Sequence, residues 1–186
     1  MMVMITEKVR VRVGVFGVKE REQLKGEFFV DSCKLAAASS ELAKKENNDC
    51  VVRAFMCALN VSYDQAHNYI KTKMNRKNGN GTYVNAYAKN IIGTTKNGLK
   101  ISFIGTHPSR AFMKTAFGSD KVLVNKKYKK ATGFTLKSFM EANPVGRFVL
   151  IVQGHAVAVV NGVLYGNSDE KYNGLYRSVW VGFEMK

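Results

Sequence analysis

The run Arg147-Phe148-Val149-Leu150-Ile151-Val152-Gln153-Gly154-His155-Ala156-Val157-Ala158-Val159-Val160-Asn161-Gly162-Val163-Leu164-Tyr165 reads as three strands in succession. Arg147–Gln153 and Ala156–Val160 are short, apolar and rich in β-branched residues, with the polar Gln153-Gly154-His155 between them. Asn161-Gly162 between apolar runs is a strong hairpin signal, because both residues tolerate the positive φ of a tight turn. With Val179–Glu184 as a further strand, the chain ends in a compact antiparallel sheet.

Upstream the pattern is helical. Thr135 caps a helix to about Ala142, and Asn143-Pro144 stops it. Cys50–Leu59 carries Val51, Ala54, Phe55, Ala58 and Leu59 on one broad face, which predicts a buried helix closed by Asn60. Ser62-Tyr63-Asp64-Gln65 is a capping-box pattern for a helix to about Met74. Thr82 heads a short helix over Tyr83–Ile91 that ends at Gly93. Leu99–Ile104 and Lys121–Val124 read as strands, with a small helix, Ser109–Ala116, between them. At the front, Val9, Val11, Val13 and Val15 alternate with charged residues, predicting a strand near 8–16 ended by Gly17. Glu20–Gly26 is polar and turn-like, Phe28–Val30 is a short strand, and Asp31/Ser32 caps a helix to about Lys45. Helices first and an antiparallel sheet last predict an α+β fold, not a doubly wound one. We expect a single domain over 1–186, with a strand-and-helix extension over 1–46 and a core over 47–186.

The composition, 46% hydrophobic and 23% charged over 186 residues, excludes a disordered chain. Phe148–Val152 and Ala156–Val160, the longest apolar runs, fall far short of the roughly 20 residues that cross a bilayer, so no membrane partner is expected. The opening Met1-Met2-Val3-Met4-Ile5-Thr6-Glu7 has no basic region before an apolar run, and three cysteines are an odd number. Both point to free thiols in the cytoplasm. Cys33, Cys50 and Cys57 lack CxxC spacing and His67, His107 and His155 are far apart, which argues against a structural zinc. Gly79-Asn80-Gly81 lacks the Gly-Lys-Ser/Thr ending of a phosphate-binding loop.

The net charge of +15 is unevenly placed. Residues 1–50 carry a net +1, residues 51–140 a net +14 and residues 141–186 none. Lys126, Lys127, Lys129 and Lys130 form the densest cluster, and Lys71, Lys73, Arg76 and Lys77 a second, both near tyrosines. Cations with interleaved rings suit a phosphate backbone and unstacked bases. DNA or RNA, including virion DNA or ribosomal RNA, or an acidic host protein are the partners this basic middle suggests. A solvated charged face is the plainer account of the same residues.

Cys50 follows Asp49 at the first turn of a buried helix, where unpaired N–H groups and the helix dipole favour an anion. A thiol there ionises more readily, and the same N–H groups can hold an oxyanion. Cys33 and Cys57 lack that placement and read as small hydrophobes. His155, beside Gly154 at a strand start, suits a general base aimed into a cleft. A third group should orient its ring. Asn161 lies at the far end of the strand. The chain returns near the histidine at Asn167, the first candidate, and Asp169, the second.

Asn48-Asp49-Cys50 at a helix start, the Thr135-Leu136-x-x-Phe139 helix, and Asn143-Pro144-x-Gly146-Arg147-Phe148-Val149-Leu150-x-Val152-x-Gly154-His155-Ala156-Val157-Ala158-Val159-x-x-Gly162 together resemble the papain-like cysteine peptidase fold. The closer similarity is to small uncharacterised versions encoded by tailed bacteriophages. These blocks, Asn48–Leu59 and Thr135–Asn167, cover about a quarter of the chain. The resemblance implies a thiol peptidase or other hydrolase of peptide, isopeptide or amide bonds, with Cys50 as nucleophile, His155 as base and no cofactor or metal. It implies action in the host cytoplasm or the virion. Two positions depart from the pattern. Lys44 and Lys45 stand where an oxyanion glutamine is usual, so Asn47 or Asn48 is expected to substitute. Gly166 stands where relatives place an acid, so Asn167 would serve through a one-residue shift. The alternative is an inactive protein on the same fold that binds nucleic acid, the ribosome or another polyanion through its basic middle.

Overall fold

The computed structural model describes residues 5–13, 17–93, 95–96, 99–104, 134–171 and 174–186. The expected strand Lys121–Val124, the helix Ser109–Ala116 and the cluster Lys126–Lys130 lie outside the described residues.

The protein is α+β. Its strands are β1 (Thr6–Val13), β2 (Gly17–Leu24), β3 (Phe29–Asp31), β4 (Thr95–Lys96), β5 (Leu99–Ile104), β6 (Arg147–Val152), β7 (His155–Val160), β8 (Val163–Gly166) and β9 (Val181–Met185). Its helices are α1 (Ser32–Ser39), α2 (Glu41–Lys45), α3 (Cys50–Leu59), α4 (Tyr63–Met74), α5 (Val84–Tyr87) and α6 (Leu136–Ala142). The central sheet runs β3-β8-β7-β6-β9-β5-β4. Strands β8, β7, β6, β9, β5 and β4 pair antiparallel, as expected, whereas β3 joins β8 in parallel, with Phe29 opposite Leu164 and Asp31 opposite Gly166. The sheet is therefore mixed, and the expectation of a purely antiparallel one is corrected. Three residues from the N-terminal segment complete the edge beside β8.

Both faces of the sheet are covered. Phe148, Leu150 and Val152 of β6, Val157 and Val159 of β7 and Leu164 of β8 pack with Leu136, Phe139 and Met140 of α6. The alternate residues, including Val149, Ala156, Ala158 and Phe183, pack with α3 and α4. Strands buried on both faces read as continuous apolar runs, which is why β6 and β7 lack a polar alternation. The β7–β8 turn is closed by Asn161 (φ 47) and Gly162 (φ 80), both in the left-handed region that this hairpin needs.

Helix α3 is held at its far end. Asn60 (φ 54) ends α3, and Arg147 Nε donates to Ala58 O at 2.6 Å, satisfying a last-turn carbonyl from the start of β6. Phe55 at its centre is fully buried, with its ring 6.1 Å from Tyr69 and 6.4 Å from Phe183. Phe55→Ala is expected to cost about 3–5 kcal/mol of stability, read as a lowered midpoint in urea unfolding with an unchanged slope.

The structure corrects four local expectations. Gly17 begins β2 rather than ending β1, and residues 20–24 are strand, not turn. Cross-strand pairing of Arg10 with Glu20 and Lys8 with Glu22 makes a ribbon from a polar sequence. The single helix expected to Lys45 breaks at Ser40 (φ −150, ψ 126), whose side chain accepts from Ala43 N to cap α2. The helix after Thr82 is only Val84–Tyr87, followed by a 3-10 turn over Ala88–Asn90. The Ser62/Gln65 capping box of α4 is as expected. No helix among the described residues is long and apolar enough to cross a membrane.

Candidate active site

Cys50 is the first residue of α3, and Asp49 is its N-cap residue. Asp49 does not cap the helix with its side chain. Its carboxylate is buried and taken by other groups: Oδ1 accepts from Arg53 Nε at 2.9 Å and Oδ2 from the Tyr63 hydroxyl at 2.8 Å. The first-turn N–H groups, which have no partner within a helix, stay uncapped by that carboxylate beside the sulfur.

His155 follows Gly154 (φ 68) as the first residue of β7. Helix α3 lies across β7, which sets Cys50 beside His155, near enough for the imidazole and the Ala156 backbone N–H to shift the ionisation of the thiol. Burial alone would push the Cys50 thiol up. The His155 imidazole, the Ala156 N–H and the Arg53 guanidinium outweigh it, and the net shift is down. Burial alone would likewise lower His155, but Cys50 and Glu170 stabilise its proton and raise it to about 9. Each group favours the charged form of the other, the coupling that a thiolate–imidazolium pair requires.

The third group is Glu170. Its side chain is almost wholly buried, and Oε1 stands 3.4 Å from His155 Nε2. That is an ion-pair distance without a closed hydrogen bond, since Nε2 has no hydrogen-bond partner. With Nε2 turned to Glu170, Nδ1 is the nitrogen left for the thiol. Arg177 Nη1 donates to the same carboxylate oxygen at 3.0 Å, and the Asn167 main-chain N–H donates to Oε2. Two glycines make room for this acid. A Cβ at Gly174 would stand 2.7 Å from Glu170 Cα, and one at Gly166 would stand 2.7 Å from Glu170 Oε2. The carboxylate tip thus lies against the position where a side chain of residue 166 would begin. The departure at Gly166 is matched by an acid arriving from four residues further on.

Asn167 and Asp169 are the expected orienting residues, and the structure turns the Asn167 side chain elsewhere. Asn167 Oδ1 accepts from Arg53 Nη1 at 2.8 Å and from the Cys33 thiol at 3.2 Å, facing α1 and α3 instead of the imidazole. Asp169 sits in the 3-10 turn Ser168–Lys171, and its side chain lies outside the described residues. That turn directs Glu170 inward. Glu170 was missed because strand counting does not see the reversal of such a turn. The signal available was Gly166 itself, a missing acid beside an acidic pair.

The expected oxyanion donors are also displaced. Asn48 (φ 53) gives its side-chain amide to Gly79 O at 3.2 Å, and Asn47 is exposed, with its carbonyl accepting from Arg76 Nη2 at 3.1 Å. The α3 first-turn N–H groups are the donors placed beside the sulfur. Cys57 is a core thiol that burial pushes up to about 12. Cys33 is exposed at the start of α1, and partial burial raises its thiol despite the Arg53 charge.

Of the second basic cluster, Lys71 and Lys77 are exposed and Lys73 is half-buried. Arg76 is not a surface cation, and its place in a polyanion face is corrected. Its side chain is fully buried, with Nη2 2.6 Å from Glu46 Oε2 and Nη1 2.9 Å from His67 Nε2. Glu46, itself buried, needs that counter-charge. Lys126, Lys127, Lys129 and Lys130 lie outside the described residues.

Fold and site together define an α+β protein with a cysteine–histidine–carboxylate constellation at the junction of one helix and one sheet. No protein-family model, curated protein or solved structure matches the chain.

Proposed function

We propose that the protein is a papain-like cysteine hydrolase of peptide, isopeptide or amide bonds, in line with its resemblance to phage-encoded members of that fold. The observation that carries this is Cys50 at a helix start beside His155, whose Nε2 stands 3.4 Å from the buried Glu170 Oε1.

The Cys50 thiolate attacks the substrate carbonyl carbon, and the electron pair of the C=O bond moves to oxygen. The resulting oxyanion is held by the uncapped N–H groups of the α3 first turn. The His155 imidazolium gives its proton to the amine nitrogen as the C–N bond breaks, leaving a Cys50 thioester. His155, now neutral, takes a proton from water, whose oxygen attacks the thioester. Collapse releases the acid and returns the proton and the thiolate. Glu170 aligns the ring and stabilises its charged form throughout.

A protein that had kept the fold but lost the chemistry would have no need to retain a buried carboxylate aimed at a histidine beside a thiol. Exposed Lys71 and Lys77 leave contact with a polyanion as a separate property that a basic segment would add to the hydrolase.

The pH dependence of amide hydrolysis, measured with a fluorogenic peptide or isopeptide library, tests the proposal. The active ion pair requires a pH above the lowered thiol value and below the raised imidazole value. Activity should rise on the acid side below the ordinary thiol range and fall as pH passes through about 9, where His155 loses its proton. A rate that climbs steadily through pH 10, as an isolated thiol would give, contradicts it.

A further inference from the structure

We propose that Arg53 and Asn167 are positioning residues that lock the nucleophile's helix to the carboxylate behind the histidine. This rests on the hydrolase assignment above and concerns how that site is held together.

Arg53 lies one turn beyond Asp49 on α3 and is buried. Its Nε donates to Asp49, the neighbour of the nucleophile, at 2.9 Å. Its Nη1 reaches three further atoms: Asn167 Oδ1 at 2.8 Å, Ser32 Oγ at 3.1 Å and Cys33 Sγ at 2.6 Å. Asn167 is 114 residues away in sequence. Its own N–H donates to Glu170 Oε2, Glu170 Oε1 faces His155 Nε2, and His155 lies beside Cys50. The contacts therefore close on themselves, running from Cys50 to its neighbour Asp49, then Arg53, Asn167, Glu170, His155 and back to Cys50.

A guanidinium needed only to balance a buried carboxylate would be satisfied at Asp49. This one spends its other arm on neutral atoms of α1 and of the turn that carries Glu170. The Ser32 hydroxyl adds to the clamp by donating to Gly166 O at 3.2 Å, at the end of β8 where that turn begins. The planar fork of arginine can point at Asp49 and Asn167 together, whereas the single ammonium of lysine serves one such site at a time. Displacing a positioned group by about 1 Å can cost about a hundredfold in rate, so a link that fixes Glu170 against α3 has kinetic weight without touching substrate.

The test is the pH profile of Cys50 alkylation by iodoacetamide, mapped by mass spectrometry, in wild type, Asn167→Ala, Arg53→Lys, the double variant and Asn167→Asp. Asn167→Ala removes the acceptor but keeps the N–H that holds Glu170. It should slow Cys50 alkylation at pH 6 by roughly tenfold while leaving the rate at pH 10 unchanged, because at high pH the thiol ionises without help. Arg53→Lys should give the same profile, and the double variant should be no slower than the worse single one, as for residues acting in one chain of contacts. Asn167→Asp, which keeps an oxygen for Arg53, should recover the wild-type profile. If Arg53→Lys does not fold, the two Asn167 variants decide the matter alone. A lowered melting temperature with an unchanged Cys50 profile in Asn167→Ala would make the link merely structural and overturn the proposal. If wild-type Cys50 itself titrates as a free thiol, it is the hydrolase assignment that fails.

Discussion

Replacing Cys50 with alanine is expected to abolish amide hydrolysis, a loss on the order of 10⁶-fold by comparison with removal of a nucleophile from another catalytic unit. The size follows from the arrangement around the sulfur. Cys57 is half-buried against the core with its thiol pushed up to about 12, and Cys33 faces Asn167 and Arg53. Neither sulfur is placed beside the imidazole to take over. The change trims one partly buried sulfur at a helix start, so the melting temperature should move little. Purified Cys50→Ala retaining more than a trace of wild-type turnover, with contamination excluded, would contradict the role given to this residue.

His155→Ala should approach the same loss by a different route. Without the imidazole the burial of Cys50 is opposed only by the Ala156 N–H and the Arg53 charge, so the thiol should titrate above its present value. The smaller thiolate fraction should slow alkylation of Cys50 at pH 7 by roughly tenfold or more. Turnover falls further, because the leaving amine also loses its proton donor. Glu170 keeps Arg177 and the Asn167 N–H as partners, so the variant does not strand a buried charge and should fold. Iodoacetamide rates and turnover measured on the same preparation separate the two effects. Cys50 reactivity equal to wild type would show that the histidine does not activate it.

What the sequence made legible was local. The caps of α4 and α6, the Asn161-Gly162 turn and the apolar periodicity of α3 are fixed by residues within a few positions of one another, and each is found where expected. Cys50 and His155 were legible for the same reason, because each sits at an element boundary marked by its neighbours. What was lost depends on distant partners. The polar β2 is a strand because β1 runs beside it, and β3 is parallel because β8 offers an edge. Arg76 looks like a surface cation until Glu46, thirty residues earlier, is found beneath it. Glu170 belongs to the same class of miss. Only the packing of Gly166 and Gly174 around its side chain explains why it, and not Asn167, lies behind the histidine.

The three cysteines supply an internal comparison for the central claim that Cys50 is held as a thiolate by His155. Limited iodoacetamide treatment of the native protein at pH 6, followed by peptide mapping, reads all three sulfurs in one sample. Cys50 should be alkylated first although it is only partly accessible, the exposed Cys33 should lag with its raised thiol, and Cys57, half-buried like Cys50 but with its thiol pushed up to about 12, should remain unmodified. Alkylation that follows exposure instead, with Cys33 first and Cys50 inert until the protein is unfolded, would contradict the account.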